Sequence, residues 1–285
     1  MNRHAPSPLV STDWLARHLS APDVRILDAS WHLPDSGRNA HADYDSAHIP
    51  GAVFFDIDEI CDADSPFPHM LPSPEAFSSQ MRRLGIGDGS TIIVYDTGGV
   101  HGAARAWWML RVFGQRDVKV LDGGLGKWRH EGRPLADLPP GPRLRHFSAR
   151  RHDLLVADLD HVRAASESGK AQIVDARGTA RFRGDEPEPR EGVEAGHIPG
   201  AISVPYSTLY DQQECLKPKE ALIALFQEAG VDLSKPVIAS CGSGISACSL
   251  ALALDVVGHN DWSVYDGSWA QWGNLPDLPK RKGTA

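Results

Sequence analysis

The sequence predicts an α/β protein made of tandem duplicated domains, each a mostly parallel sheet flanked by helices. Three observations predict it. Short β-rich runs alternate with helical patterns along the chain, the alternation that builds parallel sheets through crossover helices. The same sequence blocks occur twice, in the same order and at matching spacing. At 285 residues the chain is too long for one small domain and fits two of ordinary size.

Four pairs of blocks carry the duplication. Ile26-Leu27-Asp28-Ala29 returns as Ile173-Val174-Asp175-Ala176, and Ala47-His48-Ile49-Pro50-Gly51-Ala52 returns as Gly196-His197-Ile198-Pro199-Gly200-Ala201. Ile92-Ile93-Val94-Tyr95-Asp96 occupies the place of Pro236-Val237-Ile238-Ala239-Ser240. Leu121-Asp122-Gly123-Gly124, then Trp128, returns as Tyr265-Asp266-Gly267-Ser268, then Trp272. A stretch rich in Pro, Arg and Gly over residues 132–152 marks the connection. The expected domains are therefore 8–135 and 154–280, with a linker over 136–153.

In chain order, the patterns predict a helix over 74–84, a strand over 91–96, a helix over 103–113 and a strand over 118–121. The second half gives a helix over 159–166, a strand over 172–175, a helix over 219–229, a strand over 237–240, a helix over 246–257 and a strand over 262–265. The strands are short apolar runs of the kind buried on both faces. Ligands in such sheets bind beyond the carboxyl ends of the strands.

Composition narrows the function. The formal charge is −8 at pH 7, which argues against a general nucleic-acid binder. An anionic small-molecule substrate then needs local arginines. No segment approaches the roughly 20 apolar residues of a membrane span. Residues 1–10 lack an apolar h-region and are too short and Arg-poor for a transit peptide, so no leader is expected. Cys61, Cys215, Cys241 and Cys248 show neither disulfide-framework spacing nor a CxxC pair, which points to a reducing, cytoplasmic setting. Cys241 and Cys248 are seven apart with no His pair at ligand spacing nearby, which argues against zinc. No cofactor or metal is expected. Cys248 reads as core; Cys61 and Cys215 have no assignment from sequence.

The most informative stretch is Ser240-Cys241-Gly242-Ser243-Gly244-Ile245-Ser246-Ala247. It sets one thiol between an apolar strand and a helix. Backbone N–H groups and the positive end of the helix dipole favour thiolate over thiol there, and the thiolate is the nucleophile. The bland alternative is a small buried residue in a turn.

The duplication sorts these candidates. A residue the fold needs should recur, whereas a residue one active site needs should not. Asp28/Asp175, His48/His197, Gly51/Gly200 and Asp122/Asp266 recur, and they read as turn and cap residues. Cys241 does not recur: Thr97 stands opposite it, in Thr97-Gly98-Gly99-Val100-His101-Gly102. The second half is expected to carry the reaction and the first to support it, with wall residues at the domain interface.

The chain resembles the two-domain rhodanese-like sulfurtransferases over about residues 9–278. The resemblance rests on the duplicated His-Ile-Pro-Gly-Ala block, on Arg105-Ala106-Trp107-Trp108-Met109-Leu110-Arg111-Val112-Phe113-Gly114, on Gly184-Asp185-Glu186-Pro187-Glu188-Pro189-Arg190, and on the Cys241 loop. Within the family that loop is similar to the 3-mercaptopyruvate sulfurtransferase type, with Ile245 and Ser246 where Val and Thr are more usual. Thiosulfate sulfurtransferases commonly carry Cys-Arg-Lys-Gly instead. Thiosulfate is a compact dianion that basic loop residues would neutralise. Gly242, Ser243 and Gly244 offer N–H groups and a hydroxyl but no charge. Lys and Arg are absent from 237–257, so a substrate carboxylate must be held by another segment.

The resemblance implies that Cys241 takes sulfur from 3-mercaptopyruvate as a persulfide, releases pyruvate, and passes the sulfur to thioredoxin, a small thiol or cyanide. Gly242, Gly244, Ile245 and Ser246 would complete the binding loop, its amides stabilising the sulfur. Ser243 would relay a proton; its alternative is a helix cap. Arg181 and Arg190, whose planar forks suit a carboxylate, would bind the donor. Their alternative is salt bridging to Glu186, Glu188 or Glu191, and a swap of Arg181 with the more solvent-facing Arg183 stays open. Asp58 and His69 match positions that assist Ser243, although nothing local marks either one. Competing functions are a thiosulfate:cyanide sulfurtransferase and a non-catalytic persulfide carrier. A cysteine phosphatase needs an arginine six residues after the cysteine, where this chain has Ala247.

Overall fold

Ile92, Ile93, Val94 and Tyr95 are all fully buried. Successive strand residues point to opposite faces, so their strand is covered on both sides, as a parallel sheet requires. The computed structural model describes residues 7–99, 101–141 and 144–284. Val100 of the first-half loop and Pro142 and Arg143 of the linker lie outside the described residues, as does most of the 1–10 segment.

The first half runs β1 (Leu9–Val10), α1 (Thr12–His18), β2 (Val24–Asp28), α2 (Ala40–Ser46), β3 (Ala52–Phe54), α3 (Pro74–Arg83), β4 (Thr91–Tyr95), α4 (Gly102–Val112), β5 (Val118–Leu121) and α5 (Gly124–His130). The second runs β6 (Val156–Ala157), α6 (Leu159–Ser168), β7 (Gln172–Asp175), α7 (Thr179–Arg183), β8 (Ile202–Ser203), α8 (Lys219–Glu228), β9 (Val237–Ser240), α9 (Ala247–Val257), β10 (Trp262–Tyr265) and α10 (Ser268–Trp272). Each half forms a five-stranded parallel sheet, in the orders β1-β5-β4-β2-β3 and β6-β10-β9-β7-β8. The two orders are the same topology written twice. No helix among the described residues is long and apolar enough to cross a membrane.

Local chemistry sets the helix ends. Ser73 accepts the Ala76 N–H ahead of Pro74 at the start of α3, and Asp158 accepts the His161 N–H at the start of α6. Gly169 and Gly258 close α6 and α9 in the left-handed region. The sequence reading lacks the strands β1, β2, β3, β6 and β8 and also five helices, α1, α2, α5, α7 and α10, each of five to seven residues. Two turns or fewer are too short to display a helical period, and tertiary packing stabilises them.

The halves meet through α4 and α9. One apolar core runs through both, including Trp107, Met109, Leu110, Leu250 and Leu254. Trp107 and Trp262 lie 5.8 Å apart between ring centroids, and Arg111 pairs with Asp255 at 2.8 Å.

The recurring residues divide into two kinds. Asp28 and Asp175 close turns, accepting the backbone N–H of Ser30 and Arg177 at 2.9 Å each. His48 and His197 each hold a backbone carbonyl at 2.8 Å, from Tyr44 and Phe182, and stack on those same rings. Asp122 and Asp266 are different and correct the expectation that they cap turns. Asp122 Oδ1 accepts the Leu216 N–H at 2.9 Å, and Asp266 Oδ2 accepts the Leu71 N–H at 2.7 Å. Each aspartate clamps a loop of the opposite half.

Candidate active site

Cys241 follows the last residue of β9, so its loop opens beyond the carboxyl ends of the strands. The loop is fastened to α10: Cys241 O accepts the Trp269 N–H at 2.9 Å and Gly242 O accepts the Ala270 N–H at 2.8 Å. The Cys241 N–H donates to Ser268 Oγ at 3.1 Å, and that hydroxyl lies 4.0 Å from Cys241 Sγ. Gly244 closes the turn at φ +79°. Its N–H donates to Cys241 Sγ at 3.1 Å, a bond that stabilises negative charge on the sulfur. A Cβ at Gly244 would lie 2.7 Å from Asp266 O and 3.0 Å from Arg105 Nη1, so only glycine fits. Cys241 is 1 % exposed, at the base of the loop. Ile245 is buried beside it, and Ser246 starts α9 without a side-chain cap bond.

Ser243 does not cap the helix either. Its Oγ meets His69 Nδ1 at 3.0 Å, and His69 Nε2 meets Asp58 Oδ1 at 3.0 Å. Trp31 Nε1 donates to the same Asp58 oxygen at 2.9 Å. The His69 hydrogen bond is the main reason the Asp58 carboxyl sits below its ordinary range. His69 thus bridges the Ser243 hydroxyl and the Asp58 carboxylate, one through each ring nitrogen. His69 is 7 % exposed and holds φ +60°, a strained conformation for a residue with a side chain.

Arg181 lies against the loop, whereas Arg190 acts on it through its charge. A Cβ at Gly242 would lie 3.1 Å from Arg181 Nη2, which puts that guanidinium against the loop. Arg181 also pairs with Glu188, a carboxylate it shares with Arg177, whose Nη1 lies 2.7 Å from Glu188 Oε1. Arg177 is itself buried, paired with Asp175 and stacked over Trp269 at 4.7 Å. Arg190 forms no ion pair among the described residues. Burial lowers its basicity and the nearby Arg181 charge acts the same way, while Cys241, Glu188 and Asp58 oppose them. Arg183 is exposed and pairs with Asp185, which leaves Arg181 as the residue beside the loop.

The other thiols each donate to a backbone carbonyl. Cys248 is fully buried, donates to Gly244 O at 3.2 Å, and is pushed upward in pKa by burial. Cys61 donates to Asp58 O at 2.9 Å, and burial raises its thiol pKa. Burial pushes Cys215 up to about 11. At the corresponding place in the first half, Thr97 is followed by His101, which pairs with Glu214 at 3.0 Å and stacks on Tyr210.

Sequence reasoning named Glu188 as a partner for the arginines, which Arg181 bears out, but missed Arg177, Ser268 and above all Arg105. Arg105 lies in α4, where the only other charge is Arg111 in the last turn, and it is completely buried. A lone charge inside an apolar run was the available signal, since such a residue is almost never buried without a partner.

One sheet copy presents a cysteine on a glycine-rich loop ahead of a helix, and its twin presents a threonine. That defines a class of duplicated α/β proteins with one thiol site. The rhodanese-like domain model matches residues 11–131 and 158–275, and the chain belongs to the rhodanese-like family. It is 44% identical over 270 residues to human 3-mercaptopyruvate sulfurtransferase, covering 93% of this chain and 91% of that one. It is 43% identical over 293 residues to mitochondrial thiosulfate/3-mercaptopyruvate sulfurtransferase 1 of Arabidopsis thaliana, covering 95% and 77%. The crystal structure of SseA from Escherichia coli, described with the rhodanese fold of 3-mercaptopyruvate sulfotransferases, superposes with a TM-score of 0.85 at 42% identity, covering 92% of this chain and 99% of that one.

Proposed function

We propose that this chain is a sulfurtransferase that takes sulfur from 3-mercaptopyruvate, with Cys241 as the nucleophile. The observation that carries the donor choice is an uncharged loop, Gly242 to Gly244, with cationic groups supplied from outside it by Arg181 and Arg190. The Cys241 thiolate attacks the donor sulfur. A sulfur–sulfur bond forms, the carbon–sulfur bond breaks, and its electron pair passes to carbon to give the pyruvate enolate. Ser243 delivers a proton toward that carbon while the His69 imidazolium, paired with Asp58, returns one to the serine oxygen through Nδ1–H. Gly244 N–H supports charge on Cys241 Sγ in the resting state, and the amides of the loop receive the outer sulfur of the persulfide. Arg190 and Arg181 hold the carboxylate and the neighbouring carbonyl. An acceptor thiolate, or cyanide, then attacks the outer sulfur and releases the Cys241 thiolate, which gives ping-pong kinetics.

The donor is a small anion, and the acceptor is a thiol such as thioredoxin, a small thiol, or cyanide. The four free cysteines fit a reducing, cytoplasmic setting. Steady-state assays with both donors test the reading. A kcat/KM higher for thiosulfate than for 3-mercaptopyruvate overturns the donor. Intact mass after 3-mercaptopyruvate alone should show one added sulfur at Cys241 with stoichiometric pyruvate. A carrier would require a partner to load it.

A further inference from the structure

We propose that Arg105, contributed by the half that lacks the cysteine, is the positioning residue that holds the Cys241 loop and His69 in register. This rests on Cys241 being the nucleophile. Arg105 belongs to α4 and is 0 % exposed. Its guanidinium reaches across the domain interface to three groups. Nη1 donates to Gly244 O at 3.2 Å and to Asp266 Oδ1 at 2.7 Å, and Nη2 donates to His69 O.

Two of these partners are backbone carbonyls of residues with positive φ, Gly244 at +79° and His69 at +60°. Those residues make the contacts that matter at the site: Gly244 N–H on Cys241 Sγ and the His69 ring on Ser243 Oγ. The third partner, Asp266, also accepts the Leu71 N–H, two residues beyond His69. One buried cation therefore fixes the loop that carries the sulfur and the loop that carries the imidazole. The guanidinium also lies 4.6 Å above the Trp108 ring, which fixes its plane. Asp266 offsets the burial that would otherwise lower the basicity of Arg105, so the charge persists.

The duplication supports a site-specific role. Arg105 lies eight residues after Thr97, and the residue eight after Cys241 is Ser249. The arginine occurs once, on the helix that faces the thiol loop, while its aspartate partner recurs as Asp122. Lysine cannot replace it, because one ammonium has no planar fork to serve three acceptors in fixed directions.

The test compares Arg105→Lys with the wild type, using peptide-resolved alkylation of Cys241 by iodoacetamide across the neutral pH range. That readout uses no sulfur donor, so it is independent of the donor assignment. The expected result is labelling slowed by about tenfold or more near neutral pH, with the profile moved to higher pH. Turnover with 3-mercaptopyruvate should show kcat lower by roughly 10- to 100-fold and KM within about twofold. If Arg105→Lys does not fold by circular dichroism, Asp266→Asn, which keeps size but loosens the guanidinium, should move the same readouts in the same direction. Alkylation profiles and kcat that match the wild type in a folded variant, even with a lowered Tm, make Arg105 merely structural and overturn the inference. A wild-type Cys241 that resists labelling overturns the nucleophile assignment and this inference with it.

Discussion

His69 Nδ1 lies 3.0 Å from Ser243 Oγ, although 174 residues separate the two in the chain and each belongs to a different half. The half without the thiol thus completes the row Ser243–His69–Asp58 beside Cys241.

If that row moves a proton during carbon–sulfur cleavage, Asp58→Asn and His69→Ala should slow single-turnover pyruvate release by roughly 100-fold. Discharge of a persulfide preloaded with polysulfide onto cyanide should change little, since no carbon needs a proton there. Equal losses in both half-reactions would sink the relay.

The hydrogen bond from His69 lowers the Asp58 carboxyl below its ordinary value of 3.8. A group whose folded pKa is depressed adds stability above its unfolded value and loses it as pH falls through the folded one. Asp58 therefore adds stability at neutral pH that disappears with acidification below about 4. Asp58→Asn should flatten that acid limb in a series of Tm measurements against pH. An unchanged slope removes the linkage.

Arg190→Ala should raise the donor KM by roughly 10- to 100-fold and change kcat less, the signature of a charge-assisted contact made equally in ground and transition states. Arg181→Ala should act in the same direction. Removing the arginine leaves Glu188 with Arg177 alone, so Tm is the necessary companion measurement. KM values equal to wild type for both variants remove the pair from the donor site.

Gly244→Ala and Gly242→Ala should separate strain from substrate contact. Alanine at 244 must adopt φ +79° and meets Asp266 O at 2.7 Å, so Tm should fall by about 4 °C or more. Alanine at 242 meets the movable tip of Arg181 at 3.1 Å, so its main effect should be on KM. The reverse pattern contradicts the loop geometry.

Among the four thiols, iodoacetamide should label Cys241 first in the native protein, because burial raises the pKa of Cys61, Cys215 and Cys248. Cys241→Ser should abolish turnover and the label; Cys248→Ser should do neither. Since Cys241 is only 1 % exposed, labelling is a demanding check, and a native thiol beyond the reach of this reagent defeats the nucleophile assignment.

Much of the fold was legible. The strands over 118–121, 172–175, 237–240 and 262–265 coincide with β5, β7, β9 and β10. Buried parallel strands are continuous apolar runs, a strong local signal. The repeat test also worked for the histidines but misread Asp122 and Asp266. When two copies face each other, interface residues recur just as turn residues do. Recurrence alone cannot separate them.

The sequence by itself determined the duplicated α/β architecture, the strand–loop–helix frame of Cys241 and its solitary place in the second half. Each of these is encoded by neighbours within a few residues, through strand pattern and glycine spacing. Only the tertiary structure decided that Asp58, His69 and Arg105 converge on that loop. Their meeting depends on the packing of α4 against α9 and on buried ion pairs between the halves. Those contacts are set by three-dimensional complementarity between distant segments, which leaves no periodic trace along the chain.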